Sequence, residues 1–210
     1  MQNNYDRIAR YYDSLSRMIF FSAQVNAQVE QLRFIPANSR ILIAGGGTGW
    51  ILEEIANVHP SGLHITYIEI SEKMLALSRK RDVKANKVAY LHASAEEAQL
   101  QGSYDVIMTA FLFDNFEKEK VKEVFGKFDG LLKDAGLWLF ADFYYEKGSG
   151  KSWKWYLLKT MYLFFKQISD VEASMLIDTA QFFKQHHYKI LKTNFYYSGF
   201  IKAIIYQKPD

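Results

Sequence analysis

Residues 40–49 read RILIAGGGTG, a run of strand-forming residues that leads directly into a glycine-rich turn. Apolar residues recur at helical spacing just after the turn, at Ile51, Ile55 and Val58. Because glycine lacks a Cβ atom, such a turn can bend sharply and let a ligand approach the backbone closely. Strand, glycine turn and helix in this order predict a βαβ unit with a binding site at the turn.

The alternation of strand and helix continues along the chain. Further short runs of apolar or β-branched residues occupy 64–68, 88–91, 104–108 and 137–141. Between the last two runs, an amphipathic helix is predicted by a stripe formed by Val121, Val124, Phe125, Phe128 and Leu132. Two β-rich runs, 188–197 and 200–207, meet at a Ser-Gly pair and predict a C-terminal hairpin. The pattern therefore predicts an α/β fold with a mostly parallel, seven-stranded sheet that ends in an antiparallel hairpin.

The chain has 210 residues, which is enough for one domain with a proper core. We interpret residues 1–38 as a helical N-terminal cap and residues 39–142 as the core that binds a cofactor. Residues 143–168 contain nine aromatic residues and five lysines against one glutamate, so we interpret 143–170 as an aromatic lid. Residues 171–210 then hold the last helix, predicted over 171–186, and the hairpin.

Composition excludes several classes of protein. The chain has no cysteine, which excludes disulfides and thiolate metal sites, and its five histidines do not pair at metal-ligand spacings, so no metal is predicted. The N-terminus lacks the continuous apolar run of a secretory signal, which predicts a cytoplasmic location. The sequence pI of about 8.8 does not favour a nucleic-acid partner. The aromatic and lysine-rich lid leaves a peripheral membrane contact open.

Glu69 ends the second strand run, twenty residues after Gly49. Its carboxylate can accept hydrogen bonds from both hydroxyls of a ribose that lies across the glycine turn. A dinucleotide fingerprint would need a glycine where Trp50 stands, so NAD is disfavoured. A triphosphate-binding loop around Gly150 would need a glycine where Tyr145 stands, so this reading is also disfavoured.

Five segments in order resemble the motifs of the class I S-adenosylmethionine-dependent methyltransferases. They are ILIAGGGTG (41–49), YIEISEKMLALSRKR (67–81), YLHASAEEA (90–98), YDVIMTAFLFDNF (104–116) and LLKDAGLWLFADF (131–143). The opening YDRIARYYD (5–13) is similar to that of the ubiquinone/menaquinone C-methyltransferase branch. The resemblance implies a Rossmann-like class I methyltransferase fold and methyl transfer from S-adenosylmethionine, with S-adenosylhomocysteine as the product. The implied partner is a small, apolar or aromatic acceptor, with a quinone-like molecule as one option.

The resemblance also implies a set of cofactor-binding residues. They are Gly45, Gly46, Gly47, Thr48, Gly49, Glu69, Ile70, Ser94, Ala95 and Thr109. Two positions depart from the family pattern, because Ile43 and Ser94 stand where the family usually has acids. These departures leave open a second reading, a module that binds S-adenosylmethionine or S-adenosylhomocysteine without turnover.

Candidates for catalysis lie at the carboxyl ends of the predicted strands, where open α/β sheets bind ligands. Asp114 follows the fourth strand and Asp142 follows the fifth, while Tyr12 lies in the N-terminal segment that resembles a pocket cover. Each has a structural alternative: helix capping for Asp114, loop structure for Asp142 and packing of the cap helix for Tyr12. The sequence leaves open which acceptor is used, whether a general base is needed, and the oligomeric state.

Overall fold

A computed structural model describes residue 6 and residues 9–145, 154–157, 159–160 and 177–210. The strands in these ranges are β1 (Arg40–Ala44), β2 (Ser61–Glu69), β3 (Ala85–His92), β4 (Tyr104–Ala110), β5 (Leu132–Phe143), β6 (Lys189–Tyr196) and β7 (Ile201–Gln207). The helices are α1 (Tyr12–Phe20), α2 (Ala23–Val29), α3 (Trp50–Val58), α4 (Glu72–Ser78), α5 (Lys118–Leu131) and α6 (Ala180–Gln185). None of the helices in these ranges is long and apolar enough to cross a membrane.

The seven strands form one sheet in the order β3-β2-β1-β4-β5-β7-β6. Strands β1 to β5 pair in parallel, while β7 pairs antiparallel with both β5 and β6, so the predicted sheet and hairpin are confirmed. The chain runs from β1 outward to β3 and then returns to the other side of β1 with β4. This reversal opens a crevice at the carboxyl ends of β1 and β4, the place where open α/β sheets hold ligands.

Helices on both faces of the sheet bury an apolar core. The predicted stripe on α5 faces inward, with Val121, Val124 and Phe128 each 0% exposed. Trp138 of β5 stacks on the ring of Phe125 at a centroid distance of 5.0 Å. Burying such large aromatic rings contributes strongly to stability. Much of the aromatic content of the chain is therefore core.

The last helix begins at Ala180, and residues 177–179 before it are not helical, so the described part of the predicted helix is shorter than expected. Most of the predicted lid, including residues 146–153 and 161–170, lies outside the described residues. Of that segment, residues 154–157 and 159–160 are helical.

Candidate cofactor and active site

The glycine turn packs tightly on one side and is open on the other. A Cβ atom on Gly46 would lie 2.1 Å from the ring of Tyr67, which is fully buried. A Cβ atom on Gly47 would meet no atom within 4 Å, and this residue has a left-handed φ of +65°. The turn therefore rests on β2 through Gly46 and offers open backbone to a ligand at Gly47.

Glu69 connects the glycine turn to the start of α4. Its Oε2 accepts the backbone N–H of Gly47 at 2.8 Å, and its Oε1 accepts the backbone N–H of Ser71 at 2.8 Å. Burial raises the pKa of Glu69, while these N–H donors oppose that shift by stabilising the carboxylate. The Ile70 backbone also stabilises the carboxylate, and since its two oxygens together offer about four acceptor sites, Glu69 can still accept from a ligand hydroxyl.

Three side chains that hold the glycine turn are not among the predicted binding residues. The Tyr67 hydroxyl donates to the carbonyl of Gly47 at 3.0 Å. The Thr48 hydroxyl donates to Asp13 on α1 at 2.7 Å, and Arg81 Nε donates to the Thr48 carbonyl at 3.0 Å. One sequence signal was available, because Tyr67 lies two residues before Glu69 and therefore on the same face of β2.

The loop after β3 is held from below by a lysine of α5. Lys127 Nζ donates to the carbonyls of Ala95, Glu96 and Ala98 at 2.9, 2.8 and 2.7 Å. The Ser94 hydroxyl accepts the backbone N–H of Glu97 at 3.2 Å, so it caps the turn that follows. These bonds fix a buried loop beside the glycine turn. The sequence analysis did not identify this role of Lys127.

A cavity of about 430 Å³ lies over the carboxyl ends of the strands. Ten of the predicted site residues line it: Tyr12, Gly45, Gly46, Gly47, Thr48, Glu69, Ile70, Ser94, Ala95 and Asp114. Apolar side chains line it too, among them Leu15, Ile19, Phe20, Val25, Phe111, Phe143 and Leu157. The cavity thus has a polar end at the glycine turn and an apolar wall of residues from α1, α2, the segment after β4, the end of β5 and the lid segment, with Ser16, Arg17, Gln24 and Gln28 as polar groups on the side of α1 and α2.

The three catalytic candidates fall into two positions. Tyr12 and Asp114 line the cavity, whereas Asp142 is 6% exposed and does not line it. Burial raises the pKa of Asp114 to about 7, and burial together with the nearby charge of Asp114 raises the pKa of Asp142. Burial also raises the pKa of Tyr12, so its hydroxyl keeps its proton at neutral pH.

Two predicted binding residues have structural positions outside the cavity wall. Gly49 starts α3 with a left-handed φ of +79°, and a Cβ atom there would lie 2.5 Å from the Ser78 side chain. Thr109 is 1% exposed, and its hydroxyl accepts the indole N–H of Trp138 at 2.8 Å. The structure thus differs from the sequence expectation, because the Thr109 side chain serves the core under the site.

Replacing Thr109 with valine is expected to destabilise the fold without weakening cofactor binding. The valine keeps the shape but leaves the buried Trp138 indole N–H without its acceptor, which costs about 1–3 kcal/mol. Chemical denaturation measures this loss, and calorimetric titration with S-adenosylhomocysteine measures the affinity. A tenfold weaker affinity in a folded variant would instead show that Thr109 contributes to cofactor binding.

Comparison with known proteins agrees with this geometry. Residues 41–136 match the family described as a methyltransferase domain. The malonyl-(acyl-carrier protein) O-methyltransferase of Bacillus anthracis is 36% identical over 102 residues, which cover 46% of this chain and 37% of that protein. The ubiquinone/menaquinone biosynthesis C-methyltransferase of Geotalea daltonii is 29% identical over 118 residues, covering 53% of this chain and 50% of that protein. The chain spans 37% to 49% of the length of the first three curated relatives that it matches.

A solved structure shares the fold over almost the whole chain. It is the 1,6-didemethyltoxoflavin-N1-methyltransferase of Burkholderia thailandensis, with 1,6-didemethyltoxoflavin and S-adenosylhomocysteine bound. The TM-score is 0.65 at 11% sequence identity, with 98% of this chain and 86% of that chain covered. At this identity, the likeness concerns the fold alone.

Fold and site together define a Rossmann-like arrangement with a cavity at the crevice between β1 and β4. The match of residues 41–136 and the similarity to named methyltransferases agree with the resemblance of the motifs to the class I S-adenosylmethionine-dependent methyltransferases. The narrower similarity of residues 5–13 to the ubiquinone/menaquinone branch stays a prediction.

Proposed function

We propose that the chain transfers the methyl group of S-adenosylmethionine to a small, apolar or aromatic acceptor. The observation that carries this proposal is the continuity of one cavity, which joins the glycine turn and Glu69 to an apolar wall. Pockets of this kind orient a ligand through a few polar groups and bind the rest by apolar contact. A quinone-like molecule is one acceptor that fits this description.

The residues present fit the cofactor, because the turn is open at Gly47 and Glu69 retains acceptor capacity toward a ribose. When bound, S-adenosylmethionine supplies a methyl carbon activated by its sulfonium. We infer that Glu69 holds the ribose hydroxyls and that Ser94 and Ala95 lie beside the adenine end of the cofactor. The apolar wall then excludes water and orients the acceptor, which is the main requirement for a displacement at an already activated carbon.

We further infer that the chain forms one domain in which residues 1–38 act as a cap and residues 143–170 as a lid. Helix α1 supports the cap proposal, since Tyr12, Leu15 and Ile19 all line the cavity. Leu157 and Thr160, from the described part of the lid segment, line it too. A substrate enclosed by these segments would react away from bulk water.

Calorimetric titration and a methyl-transfer assay test the proposal together. We expect saturable binding of S-adenosylmethionine and S-adenosylhomocysteine, and no saturable binding of NAD or ATP. With a labelled methyl group, we expect transfer to acceptors in a panel of quinols and other phenols. Tight binding without transfer to any acceptor in the panel would favour the alternative of a binding module without turnover, to which Ile43 and Ser94 point.

A further inference from the structure

Two carboxyl groups meet at the carboxyl ends of β4 and β5, and only one of them reaches the cavity. Asp114 lies on the short 3-10 turn Phe113–Asn115 and lines the cavity. Asp142 is the second-last residue of strand β5, is buried, and lies close enough for the charge of Asp114 to act on it. Asp114 is therefore on the ligand side of the pair, and Asp142 is on the protein side.

Asp142 lies beside the segment that carries Asp114. The Phe143 N–H donates to its Oδ1 at 2.8 Å, and the Phe111 N–H donates to the carbonyl of Ala141, the residue before Asp142, at 2.8 Å. The backbone of Phe113 and Asp114 also stabilises the charged form of Asp142, so this carboxyl group is placed to hold the turn after β4 in position. Asp114 in turn accepts the side-chain amide of Asn115 at 2.8 Å, which orients its carboxyl group.

The charged groups around the pair do not neutralise it. Tyr12 faces Asp114 from α1, and Glu69 and Asp13 act on that tyrosine as further negative charges. Lys202 is the strand neighbour of Asp142 on β7, but its ammonium lies over the rings of Tyr144 and Phe195, 5.1 and 5.8 Å from their centroids. Arg17 and Lys120 line the same cavity as Asp114, but among the described residues no cation shifts the pKa of either carboxyl group. Like charges on the half-buried Asp114 and the buried Asp142 favour a single negative charge on the pair, with one proton retained.

We infer that Asp114 and Asp142 work as one unit, in which Asp114 takes a proton from a neutral hydroxyl of the acceptor and Asp142 is a positioning residue that acts through Asp114. This inference rests on the proposed function and adds the chemical class of the acceptor. An apolar wall favours an acceptor that arrives uncharged, and such a hydroxyl must lose its proton to become a good nucleophile.

The step balances without a further reactant. An electron pair of the acceptor oxygen forms the new O–C bond to the methyl carbon, and the C–S bond breaks with its electrons left on sulfur. The acceptor proton passes to an oxygen of Asp114, so the pair goes from one retained proton to two. The sulfonium charge and the charge of the pair are both lost, and water restores the pair after product release.

The experiment compares Asp114→Asn, Asp142→Asn and Asp142→Leu under saturating S-adenosylmethionine. Asp114→Asn removes the proton acceptor and is expected to lower kcat about 100-fold. Asp142→Asn keeps an oxygen for the backbone N–H groups and keeps one negative charge, on Asp114, so kcat is expected to fall less than about fivefold. Asp142→Leu removes the bonds to the turn and adds hydrocarbon beside Asp114, so kcat is expected to fall at least tenfold. S-Adenosylhomocysteine affinity is expected to stay within about threefold in all three variants, which also shows that each is folded.

The pH profile separates a positioning role from a merely structural one. In the wild type, kcat is expected to rise with pH as Asp114 ionises, near its pKa of about 7, since the base acts in its charged form. This rise of kcat with pH should vanish in Asp114→Asn. In Asp142→Leu it should move to higher pH, because added desolvation raises the pKa of Asp114 further. A rise of kcat at the wild-type pH in Asp142→Leu, or equal losses of kcat in the two asparagine variants, overturns the inference while leaving the proposed function intact.

A readout without turnover keeps the two proposals distinguishable. Carbonyl ¹³C spectra of aspartate-labelled protein, compared with the spectra of the two asparagine variants, report the protonation of each carboxyl group. We expect one retained proton on the pair at neutral pH. Two fully ionised carboxylates at pH 6 would overturn the inference even in a protein that binds S-adenosylhomocysteine and transfers no methyl group.

Discussion

Glu69→Ala is expected to weaken S-adenosylhomocysteine binding about 100-fold. Glu69 is 5% exposed, its carboxylate accepts the N–H groups of Gly47 and Ser71, and it keeps acceptor capacity toward the ribose. Hydrogen bonds to a charged group contribute about 1.5–3 kcal/mol each, so losing this acceptor removes roughly 3 kcal/mol of binding free energy. The variant also leaves the two backbone donors without their acceptor, so the glycine turn loses its fixed position as well.

Calorimetric titration measures this effect, with two companion variants. Glu69→Gln keeps one acceptor oxygen, so we expect an affinity between those of the wild type and the alanine variant. Glu72→Ala, on an exposed position at the start of α4, removes a nearby acid that does not contact the cavity and is expected to bind normally. An alanine variant at position 69 that binds within threefold of the wild type would refute the assignment of Glu69 to the ribose.

Gly46→Ala is expected to destabilise the protein by about 3 kcal/mol and to abolish detectable cofactor binding. The new methyl group would lie 2.1 Å from a ring carbon of Tyr67, and that ring is 0% exposed, so it has no free space to enter. Overpacking in a filled core costs typically about 1–3 kcal/mol, and the turn must shift to relieve it. For a domain of this size, a loss of about 3 kcal/mol lowers Tm by roughly 6–12 °C.

Gly47→Ala is the matched control for this prediction. Its methyl group enters open space on the cavity side, so we expect a smaller loss of stability, about 1 kcal/mol, from the left-handed backbone. Its cofactor affinity should nevertheless fall, because the methyl group occupies space that the ligand needs. Thermal unfolding and titration of both variants give the comparison. Equal stability losses would contradict the assigned packing of Tyr67 under Gly46.

Several features of this protein were predictable from the sequence because they depend on local spacing. Alternating runs predicted the seven strands, and the described structure confirms their pairing and the C-terminal hairpin. The turn that begins at Gly45 and the acid at Glu69 lie at the ends of neighbouring parallel strands, so the topology alone brings them together. The ordered motifs predicted a methyltransferase, and the match of residues 41–136 to a methyltransferase domain agrees with this prediction.

Other features depend on packing between elements that are distant in sequence. Thr109 lies at the end of a strand like a binding residue, but the indole of Trp138, 29 residues away, uses its hydroxyl. Lys127 holds the loop at Ala95 from 32 residues away. No pattern within either segment indicates these partners, since periodicity predicts which face of an element is buried but not which polar group it will meet there.

The sequence by itself therefore determined the order of the strands and helices, the glycine turn and the acid that faces it. Period-two and period-3.6 patterns set these features, and they are properties of neighbouring residues. Only the tertiary structure decided that Asp114 lines the cavity while Asp142 is buried outside its wall, and that Tyr67 fills the space under Gly46. Both outcomes follow from close packing, in which the sheet brings strand ends together and each side chain takes the volume its neighbours leave.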